Sequence, residues 1–155
     1  GSISGYQVRY ADLIDSIDQA GPLWQALRQN VIDKNRLQVG DVVAGLKVVA
    51  LERRNNSLLD ATFAGEVVLD GTSEWMENTG DGPGYIFTVQ MPDAAKLPAL
   101  GLEKETRLIG LRLAPQLSTL LPQAKSRVRL VIDRFSIGER QIAARATVVQ
   151  VSLLN

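Results

Sequence analysis

Cysteine and histidine are both missing from the 155-residue chain. Without a thiol there can be no disulfide, no thiolate zinc site and no cysteine nucleophile. Without an imidazole, the Ser–His–Asp arrangement and every other histidine base are excluded. Neither the G-x-S-x-G elbow nor a serine followed three residues later by lysine occurs, so both serine signatures fail as well. What remains for catalysis is carboxylates, Lys, Tyr or a hard cation held by oxygen ligands. The sequence therefore reads as a protein that is not an enzyme and carries no cofactor.

Other shortages narrow the class further. There is no charge excess, since Lys plus Arg and Asp plus Glu each number 17. Nucleic-acid binders gain affinity by neutralising phosphates and normally show a basic surplus, so no nucleic-acid partner is expected. No apolar run approaches the ~18–20 residues that span a bilayer as a helix. Aromatics make up only 5% of residues, which leaves branched aliphatics to supply most of the core. The absent cysteines do not fix a compartment. The opening Gly1-Ser2 reads as a protease scar from an expression tag, implying that an upstream signal peptide, anchor or further domain has been cut away. That reading leans toward an extracytoplasmic setting.

The remaining composition, 45% apolar and 22% charged, is that of one ordinary globular domain covering residues 1–155. Residues 11–33 read as helical: Leu13, Ile14 and Ile17 fall at helical spacing, Gly21-Pro22 interrupts, and Leu23, Leu27 and Val31 resume the stripe with Trp24 beside it. From about residue 40 to 154 the pattern turns to strands. The run QVGDVVAGLKVVALE is nearly continuous in Val, Leu and Ala, as in a strand covered on both faces. Phe63, Val67 and Leu69 share a face, and Tyr85, Phe87, Val89 and Met91 alternate with Thr88 and Gln90 in the clearest strand of the chain. Ile109, Leu111 and Leu113 repeat the device, as do Val128, Leu130 and Ile132. In the last segment Ile142, Ala144, Ala146 and Val148 hold one phase, then Val149, Val151 and Leu153 the other, which predicts a β-bulge. Short helices are expected at Asp93–Leu97 and Pro115–Leu121, each bounded by proline. The expected fold is α+β and mainly antiparallel: a sandwich or partly closed barrel of about 6–7 strands with two short N-terminal helices packed on it.

The stretch Glu77-Asn78-Thr79-Gly80-Asp81-Gly82-Pro83-Gly84 invites a ligand reading. A phosphate loop would need a following Lys and helix, whereas the next residues form a strand and Pro83 removes a backbone donor. Asp70, Glu74, Glu77, Asn78 and Asp81 could supply oxygens to calcium, yet EF-hand spacing is absent and such residues are ordinary in turns. The better reading is a long hairpin connection, with room for contact work at its tip.

Three further groups stand out. Asp12, Asp15 and Asp18 make an acidic strip that reads as a solvated helix face. Lys125, Arg127 and Arg129 alternate with Val128 and Leu130, with Arg134, Arg140 and Arg145 nearby. Aligned by neighbouring strands they would form a basic patch for phosphates, carboxylates or an acidic partner; otherwise they guard exposed strands. Trp75, beside the hairpin loop, is either a partner anchor or a cap on the core. The expected partner site comprises Trp75, Glu77, Asn78 and Asp81. The leading expectation is a non-catalytic binding or assembly module acting through protein–protein contacts. A carrier of a small apolar ligand or lipid in a β-barrel or sandwich cavity is the alternative, and a carboxylate-dependent hydrolase the third.

Overall fold

The computed structural model describes residues 10–102 and 107–154. Two helices come first, α1 (Tyr10–Asp15) and α2 (Pro22–Gln29), the second begun by a proline at its first turn, where no backbone donor is needed. Strands follow: β1 (Val42–Val43), β2 (Leu46–Arg54), β3 (Ser57–Met76) and β4 (Gly84–Val89). Short helix α3 (Met91–Ala94), β5 (Leu108–Arg112), short helix α4 (Pro115–Ser118), β6 (Ser126–Ile137) and β7 (Ala144–Leu153) complete the chain.

The seven strands lie in the order β1-β2-β3-β4-β5-β7-β6, and β6 pairs back onto β3. That return closes β3, β4, β5, β7 and β6 into a ring, from which β2 and β1 extend as a flap. All pairings are antiparallel except β5 with β7. The expected α+β, mainly antiparallel, partly closed barrel is the observed fold.

The 20-residue β3 organises the ring. One edge pairs with β6 from Ala61 to Ser73, while the other edge is divided between β2 (Ser57–Ala64) and β4 (Gly71–Met76). The division falls at Gly65, where the register with β6 slips and φ reaches 143°, a conformation natural to glycine. Gly71 serves differently. A Cβ there would lie 2.1 Å from the Thr88 carbonyl oxygen and 2.8 Å from the Phe87 ring, so β4 can approach only because the side chain is absent.

The inner face of the ring is filled by Phe63, Phe87, Phe135, Leu69, Ile109 and Leu130, each 1% exposed or less. Such exposure leaves no water-sized void beside these side chains. Few as the aromatics are, all three phenylalanines of the chain lie here, so they and not the branched aliphatics alone set the core's centre. The helices do not reach this core. Ile14 and Leu27 form a second cluster with Ala94 of α3, flanked by Trp24 and Met91, and the buried Asn30 side chain donates to the Ala95 carbonyl to tie the two helical pieces together. Met91, expected to continue the β4 alternation, instead begins α3.

The run around Val42–Leu51 is not one strand buried on both faces. Ala44 and Gly45 both take positive φ, 54° and 78°, which makes a tight primed turn, and the flap that results is exposed over most of β2. The bulge expected in the last strand is present: Val131 pairs with Gln150 and Ile132 with Val148, so Val149 is skipped. Ile142, however, precedes β7 and is 80% exposed, outside the alternation assigned to it. Among the described residues no helix is long and apolar enough to cross a membrane.

Candidate functional site

The outer face of the ring carries two features; the hairpin loop between β3 and β4 lines the first and approaches the second only through Asp81, 4.0 Å from Arg145. The loop is locally ordered. Thr79 donates its backbone N–H (2.9 Å) and hydroxyl (2.8 Å) to the Gly82 carbonyl, the Gly80 N–H donates to Asn78 Oδ1 at 2.9 Å, and Gly80 and Gly82 take φ of 98° and 96°. These are turn contacts of the kind Asn, Thr and Gly make for themselves. Among the described residues no group of three or more acidic side chains converges to hold a metal ion.

The first feature is a groove of about 660 Å³ on the outward face of β3, β4 and β5. Thr72, Ile86 and Thr88 form its floor, because they occupy the outward phase of strands whose inward phase is Gly71, Phe87 and Val89. Asn78–Gly80 make one wall, and Ile142-Ala143, from the connection between β6 and β7, make another. Ile142 lies alongside the loop, its Cδ1 3.8 Å from where a Cβ on Gly80 would stand. Met76, 40% exposed, adds a second apolar contact, while Glu74 and Lys125 bring opposite charges to the rim.

The second feature is a hollow of about 90 Å³ over β6 and β7, lined by Arg112, Arg134 and Arg145, by Thr62, Ser136 and Thr147, and by Phe135 and Ala146. Arg145 donates to Asp60 Oδ1 at 3.2 Å, and its other terminal nitrogen stands 4.0 Å from Asp81 of the hairpin loop.

The expected partner residues are dispersed by this geometry. Asn78 lines the groove while also closing its own turn, Glu77 is exposed beside it, and Asp81 faces Arg145. Trp75 sits in phase with Ser73 and Gly71 on the inner side of β3. Its ring meets Tyr85 edge-on with centroids 5.1 Å apart, and Tyr85 donates its hydroxyl to the Leu121 carbonyl. It packs against the core, partly exposed, at the end of the ring. The basic triplet also divides. Lys125 reaches the groove, Arg127 stands opposite Thr72, and Arg129 pairs with Asp70 directly across the β3–β6 ladder. The Arg129–Asp70 contact is bidentate, at 2.7 and 3.0 Å. The Arg129 guanidinium, chiefly by this hydrogen bond, holds the Asp70 carboxyl below the usual aspartate range. Asp12, Asp15 and Asp18 are exposed.

Ile142 and Arg112 belong to these features and were not among the sequence candidates. The alternation of Ile109, Leu111 and Leu113 does place Arg112 on the outward phase; its neighbours there are set by the parallel register with β7, which no local pattern encodes.

No family model, curated protein or solved structure matches the chain.

Proposed function

We propose that this chain is a non-catalytic binding module that receives an extended segment of a partner protein in the outer groove. The observation that supports this reading is the construction of the groove itself. A rigid sheet supplies the floor, two ordered connections supply the walls, and the most exposed large apolar side chain described, Ile142, stands in one wall. Isolated exposed apolar residues need no explanation, but Ile142 and Met76 flank one concave surface with charged groups at its rim. A peptide laid there would cover the apolar pair and meet Glu74 and Lys125 with its own polar groups, the usual division between apolar anchor and polar rim. The volume falls in the ~300–1,000 Å³ range of ligand clefts.

Peptide display against the purified protein tests the reading. Enriched sequences are expected to lose affinity by about tenfold or more on Ile142→Asp, since burying such a side chain is worth about 1.5–3 kcal/mol. Val149→Asp, an exposed apolar position outside the groove, is expected to leave them unaffected. Enrichment of nothing, or of peptides indifferent to Ile142, would refute it.

A further inference from the structure

Two neighbouring rows of outward side chains cross the ring wall. In the first, Thr62 of β3 stands opposite Ser136 of β6, which stands opposite Arg145 of β7. In the second, Arg134 of β6 stands opposite Thr147 of β7, which stands opposite Arg112 of β5. Three arginines and three hydroxyl-bearing residues thereby line one hollow of about 90 Å³, together with Phe135 and Ala146; the Thr62 hydroxyl donates to Asp60.

The arrangement is unfavourable for the protein by itself. Like charges gathered on one sheet face repel one another. Asp60 is the carboxylate bonded here; of the three arginines it engages only Arg145, while also accepting from Thr62 and Gln141, and Asp81 stands 4.0 Å from the same arginine. Arg112 and Arg134 make no ion pair among the described residues. Arg145 is itself only partly satisfied, because its buried Nε–H has no acceptor. A buried donor without a partner calls for a reason. Protection of a sheet edge does not supply one, since β5, β6 and β7 are each paired on both sides.

We infer that this hollow is a binding site for a phosphate group. Guanidiniums present forked donors that match the oxygens of a tetrahedral anion, and flanking hydroxyls both donate and adapt. An anion seated here relieves the repulsion among the three arginines and offers an acceptor to the Arg145 Nε–H. At about 90 Å³ and open to solvent, the hollow has room for one phosphate group between the arginines. The phosphate is therefore either the free ion or the terminal group of a small phosphorylated molecule whose remainder lies outside. The site does not depend on the groove being a peptide site.

The test is a calorimetric titration at low ionic strength with inorganic phosphate, followed by glycerol 3-phosphate. Saturable phosphate binding is expected, weakened about tenfold or more by Arg112→Gln and by Arg134→Gln, each of which removes a charge-assisted contact. Both side chains are exposed, and melting curves will show that the variants remain folded. Arg129→Gln is the control, because Arg129 lies on the same strand but is committed to Asp70. Tighter binding of glycerol 3-phosphate than of phosphate would uphold the site and assign it to a phosphorylated molecule; the reverse order would uphold it for the free ion. No saturation up to about 10 mM, weaker than any useful affinity, would overturn the inference. So would equal weakening by all three substitutions, the mark of a diffuse field.

Discussion

Strand β3 has two halves: Ser57–Ala64 pairs with β2 and Val67–Met76 carries the β4 pairing at Gly71–Met76, while β6 lies along the other edge of both from Ala61 to Ser73. Both halves press the same kind of apolar residue inward, Leu58 and Phe63 in one, Leu69 in the other. Their outward chemistry differs. In the second half a carboxylate and a guanidinium stand directly opposite, Asp70 and Arg129, and satisfy each other. In the first half Asp60 accepts from Thr62, Gln141 and Arg145, and two further arginines gather nearby without an ion-pair partner among the described residues. The lesson is that the number of arginines on a sheet face says little about binding. Cross-strand register decides which of them are already spoken for.

The comparison can be broken at three points. The largest effect is expected where β4 closes against the second half. Gly71→Ala forces a methyl into the Thr88 carbonyl and the Phe87 ring, and should cost about 3 kcal/mol by urea unfolding. Ala64→Ser, at an outward position of the first half, should cost little. A Gly71→Ala protein of unchanged stability would mean that β4 does not approach as closely as described. Next, Asp60→Asn removes the carboxylate that competes for Arg145. Phosphate affinity should then rise about threefold, and a fall would show that Asp60 organises the hollow rather than opposing it.

The smallest effect concerns the exposed pair. Because the folded Asp70 carboxyl is depressed, the unfolded chain binds more protons at low pH, and the pair's contribution is complete above the ordinary aspartate pKa of ~3.9. It fades as pH falls below that value toward the folded one. Asp70→Asn should therefore lower stability only slightly at neutral pH, the pair being exposed, and flatten the acid limb of the stability curve. Equal acid sensitivity of the two proteins would sever the link between this pair and pH.

Most of the strands were legible because each has a buried and an exposed phase. Tyr85, Phe87 and Val89 show the period of two, and the skipped Val149 was announced by a change of phase. The early Val-Ala-Leu run misled because apolar residues on an exposed flap look like apolar residues between layers; the turn at Ala44-Gly45 was the better signal. Trp75 was ambiguous because its neighbourhood looked like loop, although its phase on β3 is inward. The groove and the hollow were legible only in single members, Asn78 and Lys125 for the one and Arg134 and Arg145 for the other, and not in what surrounds them. Each brings together residues separated by 60 or more positions in the chain, such as Thr72 with Ile142 and Thr62 with Arg134. Local periodicity tells which side of a strand a residue faces, but not what stands across from it.

The ladder between β3 and β6 joins residues such as Leu69 and Leu130, so synthesis on a ribosome separates the two edges in time. The hairpins that β3 makes with β2 and β4 can form as soon as residues up to Val89 have emerged. The other edge of β3 must then wait, its amides and carbonyls unpaired, until β6 is made. Contacts of such long sequence separation slow folding, and waiting edges invite pairing with the wrong chain. For the nascent protein, the period between the completion of β4 and the arrival of β6 is when the long strand at the centre of the ring is most open to misassembly.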